Sequence, residues 1–187
     1  MKKIRQFCIL PLALVSVSAC FLTETSLIDA GQAVLPMDGD MLVCLRDEDP
    51  CLDLKRQADG YFAQSPDDPA DRITLRFTPL TQSAGKQVFL AEAELTEDEE
   101  TGFTYGLARR FSAPNDRGAT LEIAPLDCED ADEDMLSQFE AGGGTVEVGK
   151  ITSCAPVSLT QMKGLVLTMH GKDIAKDAWW VERANEF

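Results

Sequence analysis

Six acids fall within the eight residues 127–134, DCEDADED, and carboxylates so closely set can hold a divalent cation. Asp130, Asp132 and Asp134 repeat the alternate spacing that opens a calcium loop, but the match then ends. Met135 stands where that loop needs a glycine to turn, and Ala141 stands where it needs a bidentate glutamate. The same acids have a plainer use. A helical pattern follows at once, so Asp130 is expected to cap it, with the neighbouring carboxylates meeting the positive end of its dipole. No metal site or cofactor is expected here.

Other chemistry-bearing residues are sparse. His170 is the single histidine, and no Gly-x-Ser-x-Gly nucleophile turn accompanies it. It ends a helical pattern just before Gly171, where a cationic side chain suits the dipole. Residues 144–150, GTVEVGK, have the glycine and lysine spacing of a phosphate-binding loop. Ile151 replaces the hydroxyl that would hold magnesium, and TVEV alternates like a strand, so a phosphate site is rejected. Trp179 and Trp180 stand side by side in AWWVE. Read as a strand, that stretch points one ring inward and leaves the other as a candidate contact for a protein or a sugar.

The start of the chain is more specific. Lys2, Lys3 and Arg5 precede an apolar run, FCILPLALV, that is too short to span a bilayer and is followed by small residues. The run closes on Val17-Ser18-Ala19-Cys20. This order resembles the signal peptide and lipobox of bacterial lipoproteins. The resemblance implies cleavage before Cys20, a diacylglycerol on its thiol and acylation of its new amino group. Several acyl chains on one residue would give stable anchoring in a lipid bilayer. Phe21, in place of an aspartate, is compatible with delivery to the outer membrane. On this reading 1–19 is the signal, 20–36 a lipidated tether, and 37–187 one acidic domain facing the periplasm.

Cys44, Cys51, Cys128 and Cys154 then remain, an even number suited to disulfides in an oxidising compartment. Three pairings exist; proximity favours Cys44 with Cys51 and Cys128 with Cys154. Close Cys-x₂₋₄-Cys pairs, which zinc would need, are absent. The second bond is expected to bring the starts of the two helices together.

Of 187 residues, 17 are basic and 32 acidic, for a formal net charge of −15. Loss of residues 1–19 removes three bases and no acid. Such a surface repels phosphate backbones, so nucleic acid is a poor partner. Basic proteins or uncharged glycan fit better, and strong charge also serves solubility.

The body of the chain must position these groups, and its pattern is mostly period two. Ile73, Leu75 and Phe77 alternate with polar residues, as do Phe103, Tyr105 and Leu107, then Leu121 and Ile123, then Val146 and Val148. Strands are also expected at 41–45, 52–56, 86–95 and 179–183, separated by turn-rich stretches. Helical spacing occurs twice. Met135, Leu136 and Phe139 share one face; Leu159, Met162, Leu165, Val166 and Met169 share another. Ser158 with Gln161 forms a capping box, and Gly171 is a natural stop. The segments 73–80 and 119–126 share Thr-Leu and Pro-Leu in register, a faint internal similarity.

The expected class is α+β: a predominantly antiparallel sheet, compatible with barrel-like closure, and two helices in the last third. The expected function is a membrane-anchored envelope lipoprotein with a non-enzymatic binding or structural role, its partner an envelope protein or glycan. The alternatives are a carboxylate-based hydrolase and an inhibitor of a basic hydrolase. Lysozyme inhibitors include small acidic lipoproteins, but their Ser-Gly-x-x-Tyr signature is missing; the nearest stretch is ADGYF, 58–62.

Overall fold

A computed structural model describes residues 20–43, 52–64, 72–97, 100–112, 119–149 and 152–183. Cys44 and Cys51, and with them the first expected disulfide, lie outside the described residues.

The centre of the fold is a meander of three long strands, β5 (Arg72–Ser83), β6 (Lys86–Glu97) and β7 (Glu100–Ser112). β5 and β6 close through a two-residue turn in which both Ala84 and Gly85 have positive φ, 50° and 76°. That is the twist a tight hairpin requires. β2 (Met41–Val43), β3 (Leu52–Arg56) and β4 (Tyr61–Gln64) extend the meander antiparallel beyond β5. β5 does not stop at Pro79; the register shifts between Pro79 and Thr81 and pairing resumes to Ser83. A proline cannot donate to the ladder, and the irregularity accommodates it.

The far edge of β7 is shared. Its later half, Gly106 to Ser112, pairs with β8 (Ala119–Pro125); its earlier part, Phe103 and Thr104, pairs with β1 (Cys20–Thr23). β1 also pairs in parallel with β10 (Ser153–Ala155), which pairs with β9 (Thr145–Glu147). The path runs from β2 to β9 and is not closed. The sheet is therefore open rather than a barrel, and the α+β class holds.

Alternation divides the side chains between two cores. Val88 and Leu90 of β6 and Phe103, Tyr105 and Leu107 of β7 face the helices, in one cluster with Phe21, Phe139, Met162, Val166 and Trp180. Phe89, Ala91 and Ala108 face the other way, with Met41, Leu54, Tyr61 and Phe77. Leu121 and Ile123 of β8 pack against that second core, so the two ends of the curled meander share it without pairing.

Three α-helices form rather than two: α1 (Glu133–Ala141), α2 (Leu159–His170) and α3 (Asp177–Arg183). α2 begins at the expected cap, Ser158, with the return bond one residue earlier than a capping box places it. Ser158 accepts from the Gln161 amide at 3.2 Å, and the Gln161 side chain reaches back to the Val157 amide at 2.9 Å. Lys163 ties α2 to β5 through Thr78 and the Pro79 carbonyl.

α3 corrects the expected strand at 179–183. A short apolar run fits either period, and tertiary partners decide. Asp177 in its first turn takes Lys86 at 2.9 Å and Arg109 at 2.5 Å, and Arg109 lies 4.7 Å over the Trp180 ring. A further correction concerns 20–36. These residues do not form a free tether. Phe21 and Ile28 are fully buried, and the Val34 amide donates to the Phe77 carbonyl at 2.8 Å.

Candidate functional site

The N-terminal segment is held by one buried carboxylate. Glu92 lies on the helix-facing side of β6, in line with Val88 and Leu90, and has no exposed surface. One of its oxygens accepts from Ser26 Oγ at 2.6 Å. The other accepts from the backbone amides of Leu27 at 2.7 Å and Ile28 at 3.2 Å, and from Tyr105 Oη at 3.1 Å. Arg76 stands 3.7 Å from the first oxygen and also pairs with Glu94 and Asp59. A carboxylate so deep needs this many donors and a countercharge. Burial, reinforced by the neighbouring Glu92, pushes the Tyr105 phenol well above its ordinary value, so it stays a neutral donor.

Chemically this is a clamp. Every oxygen of Glu92 is spent on chain that follows Cys20, and none faces a cleft. Cys20 itself begins β1, in register with Ser153, and the next residue is already in the core.

The acidic run 127–134 divides its labour differently from the sequence expectation. Asp127 accepts from the Glu129 amide at 2.7 Å and caps a 3-10 turn, Cys128–Asp130. Burial raises the Asp127 carboxyl above its usual range. Asp132 then caps α1, accepting from the Met135 amide at 2.8 Å. Asp130 is not the cap. The 3-10 turn rotates it toward α3, where it pairs with Arg183 and lies 3.5 Å from His170 Nε2. Among the described residues no group of three His, Cys, Asp or Glu side chains is arranged to hold a metal ion.

His170 also differs from expectation. It is buried against Trp179, with ring centroids 5.3 Å apart, and its Nε2 has no hydrogen-bond partner. Burial holds its pKa below the ordinary imidazole value; Asp130 opposes that shift. It packs in the core, where burial favours the neutral imidazole over the cation that the helix dipole would suit.

Cys128 and Cys154 are joined, with Cα atoms 5.7 Å apart. The bond fixes the 3-10 turn to β10. The chain-entropy model puts such a loop at about 3–4 kcal/mol. It does not bring two helix starts together. Gln161, in the first turn of α2, donates to the Phe139 carbonyl near the end of α1, while His170 at the far end of α2 approaches Asp130.

The tryptophans sit on one short helix instead of a strand. Trp180 is buried and donates to the Ile174 carbonyl at 3.0 Å, so it offers no face to a partner. Trp179 is half-buried between His170 and Trp180.

The surface that sequence reasoning missed lies between α1 and β9. Glu133, Leu136, Ser137 and Glu140 form one wall of a shallow open groove, and Val146 and Val148 form the other. Val148 is 84% exposed, the most exposed large apolar side chain among the described residues. The alternation of Val146 with Val148 was its only signal. Among the described residues no helix is long and apolar enough to cross a membrane. Comparison with protein-family models, with curated proteins and with solved structures finds no match to this chain.

Proposed function

We propose that this chain is a bacterial envelope lipoprotein, anchored through acylated Cys20, whose domain binds or braces a partner at the periplasmic face and performs no catalysis. The observation that carries the reading is the ordered series of basic residues, short apolar run and Val17-Ser18-Ala19-Cys20 box.

The buried carboxylate fits a structural role: both oxygens of Glu92 are engaged by the N-terminal clamp, and Glu94, Glu122 and Asp130 each pair with an arginine through one oxygen.

The anchor on this reading has almost no slack. Consecutive Cα atoms are about 3.8 Å apart, so acyl chains on Cys20 sit one residue from a core side chain. The clamp at residues 26–28 then fixes the domain to its anchor instead of letting it swing. Intact-mass analysis of the protein purified from membranes tests the reading. The expected product begins at Cys20 and carries acyl mass on that residue. A product cut elsewhere, or an unmodified Cys20, would refute it.

A further inference from the structure

β9 is the end of the strand order, so among the described residues its outer edge has no neighbour. An open edge is a template for another strand, and proteins normally cover or charge it. Here it is bordered by the groove that α1 forms with Val146 and Val148. Glu133, Leu136, Ser137 and Glu140 follow the i, i+3, i+4, i+7 spacing, so a single helix face runs along the strand.

A strand edge beside a helix face is the geometry that captures an extended peptide. Backbone pairing supplies affinity, and alternate side chains enter the groove. The lining states what those side chains must be. Leu136, Val146 and Val148 offer apolar contact; Glu133 and Glu140 offer negative charge; among the described residues no lysine or arginine lines it. Glu147, exposed on β9 between the two valines, adds a third carboxylate on the opposite side of the strand.

We infer that the β9 edge is a docking site for an extended basic segment of a partner polypeptide, which adds as a further strand with apolar and cationic residues alternating. A second copy of this chain is the poorer occupant. It would set Glu133, Glu140 and Glu147 against their own copies on a molecule of net charge −15. Anionic lipid is disfavoured for the same reason. The site deepens the binding role proposed above and is independent of the anchor. Its failure would leave the result at Cys20 standing, and failure at Cys20 would leave this groove to be judged by peptide binding.

The test uses the full chain, purified from membranes, and a labelled, acetylated eight-residue peptide alternating valine and lysine. Its controls are the valine–glutamate counterpart and a version with two central prolines. Fluorescence anisotropy should show saturable binding of the lysine peptide alone, weakening as salt screens the carboxylates. Hydrogen exchange should slow at residues 145–147 when it is bound. The double variant Glu133→Lys, Glu140→Lys changes two exposed side chains and should weaken binding at least about fivefold, while Val148→Asp should weaken it too. No binding at millimolar peptide, equal binding of the glutamate or proline peptide, or protection confined to other strands would overturn the inference. So would a concentration-dependent dimer that slows exchange at 145–147 without peptide.

Discussion

Replacing Glu92 by alanine should be among the most damaging single changes in this domain. The substitution removes the acceptor for two backbone amides, a hydroxyl and a phenol at once. Each buried donor left unpaired costs about 1–3 kcal/mol, and bonds to a charged acceptor lie at the upper end. The sum is limited from above, because residues 24–28 can peel away and rehydrate. Peeling forfeits the burial of Ile28 and part of Leu27, about 2 kcal/mol for each full side chain. It also leaves Arg76 with Glu94 and Asp59 alone. A net loss of about 3–5 kcal/mol follows, the range for breaking a buried charged network from one side. Glu92→Gln should cost less, about 1–2 kcal/mol. Its carbonyl can serve Leu27, Ile28 and Tyr105, and its amide can donate to Ser26 Oγ, which already has the Ile28 carbonyl within reach at 3.1 Å. Urea unfolding followed by tryptophan fluorescence gives the energies. Thermolysin digestion read by mass spectrometry shows whether 24–36 has loosened. If alanine lies within 1 kcal/mol of the parent, or glutamine is as damaging as alanine, the clamp argument is wrong.

Three smaller predictions come from the same geometry. Asp132→Ala should cost about 0.5–2 kcal/mol as a lost cap, seen as a lower thermal midpoint, and its effect on α1 should not be reproduced by Asp130→Ala, which instead frees Arg183. Ala84 has a φ of 50°, so Ala84→Asn should stabilise by about 1 kcal/mol in urea titration; a neutral or destabilising result would mean the turn is not of this type. Burial lowers the His170 pKa from 6.5, so the unfolded chain takes up the proton first as pH falls. The stability His170 confers is therefore complete above that value and declines below it, by at most about 1.4 kcal/mol per pH unit, until the folded form also protonates. His170→Gln should flatten this part of the stability profile, and an unchanged slope would assign it to the carboxylates.

β7 was legible because its large apolar side chains all fall on one face, toward the helices. Phe103, Tyr105 and Leu107 alternate with smaller or polar residues, and no helix could bury them together. α2 was legible from Ser158, whose hydroxyl caps it as the spacing suggests, while the Gln161 side chain reaches one residue further back, to Val157. β1 was not. Phe21 and Leu22 continue the apolar stretch of the proposed signal, which hides a strand whose only mark is four residues of ordinary composition. The clamp left one trace: Glu92 falls in the alternation of Val88 and Leu90, where an apolar residue belongs. An acid at a core position points to donors from elsewhere, but their source, 65 residues away at Leu27, is set by tertiary structure. Asp130 shows the complementary limit. Composition placed acids at a helix start, but the intervening 3-10 turn decided that Asp132 caps it. The tryptophan pair misled because five residues are too few to separate the two periods.

The proposed anchor would join this domain to lipid at Cys20. The most direct measurement is tandem mass spectrometry of the N-terminal peptide from protein extracted from bacterial membranes. The expected result is a peptide beginning at Cys20, with diacylglycerol on the sulfur, and a Cys20→Ala variant lacking it. An unacylated peptide that starts at another residue, or a Cys20→Ala variant processed like the parent, would contradict the account.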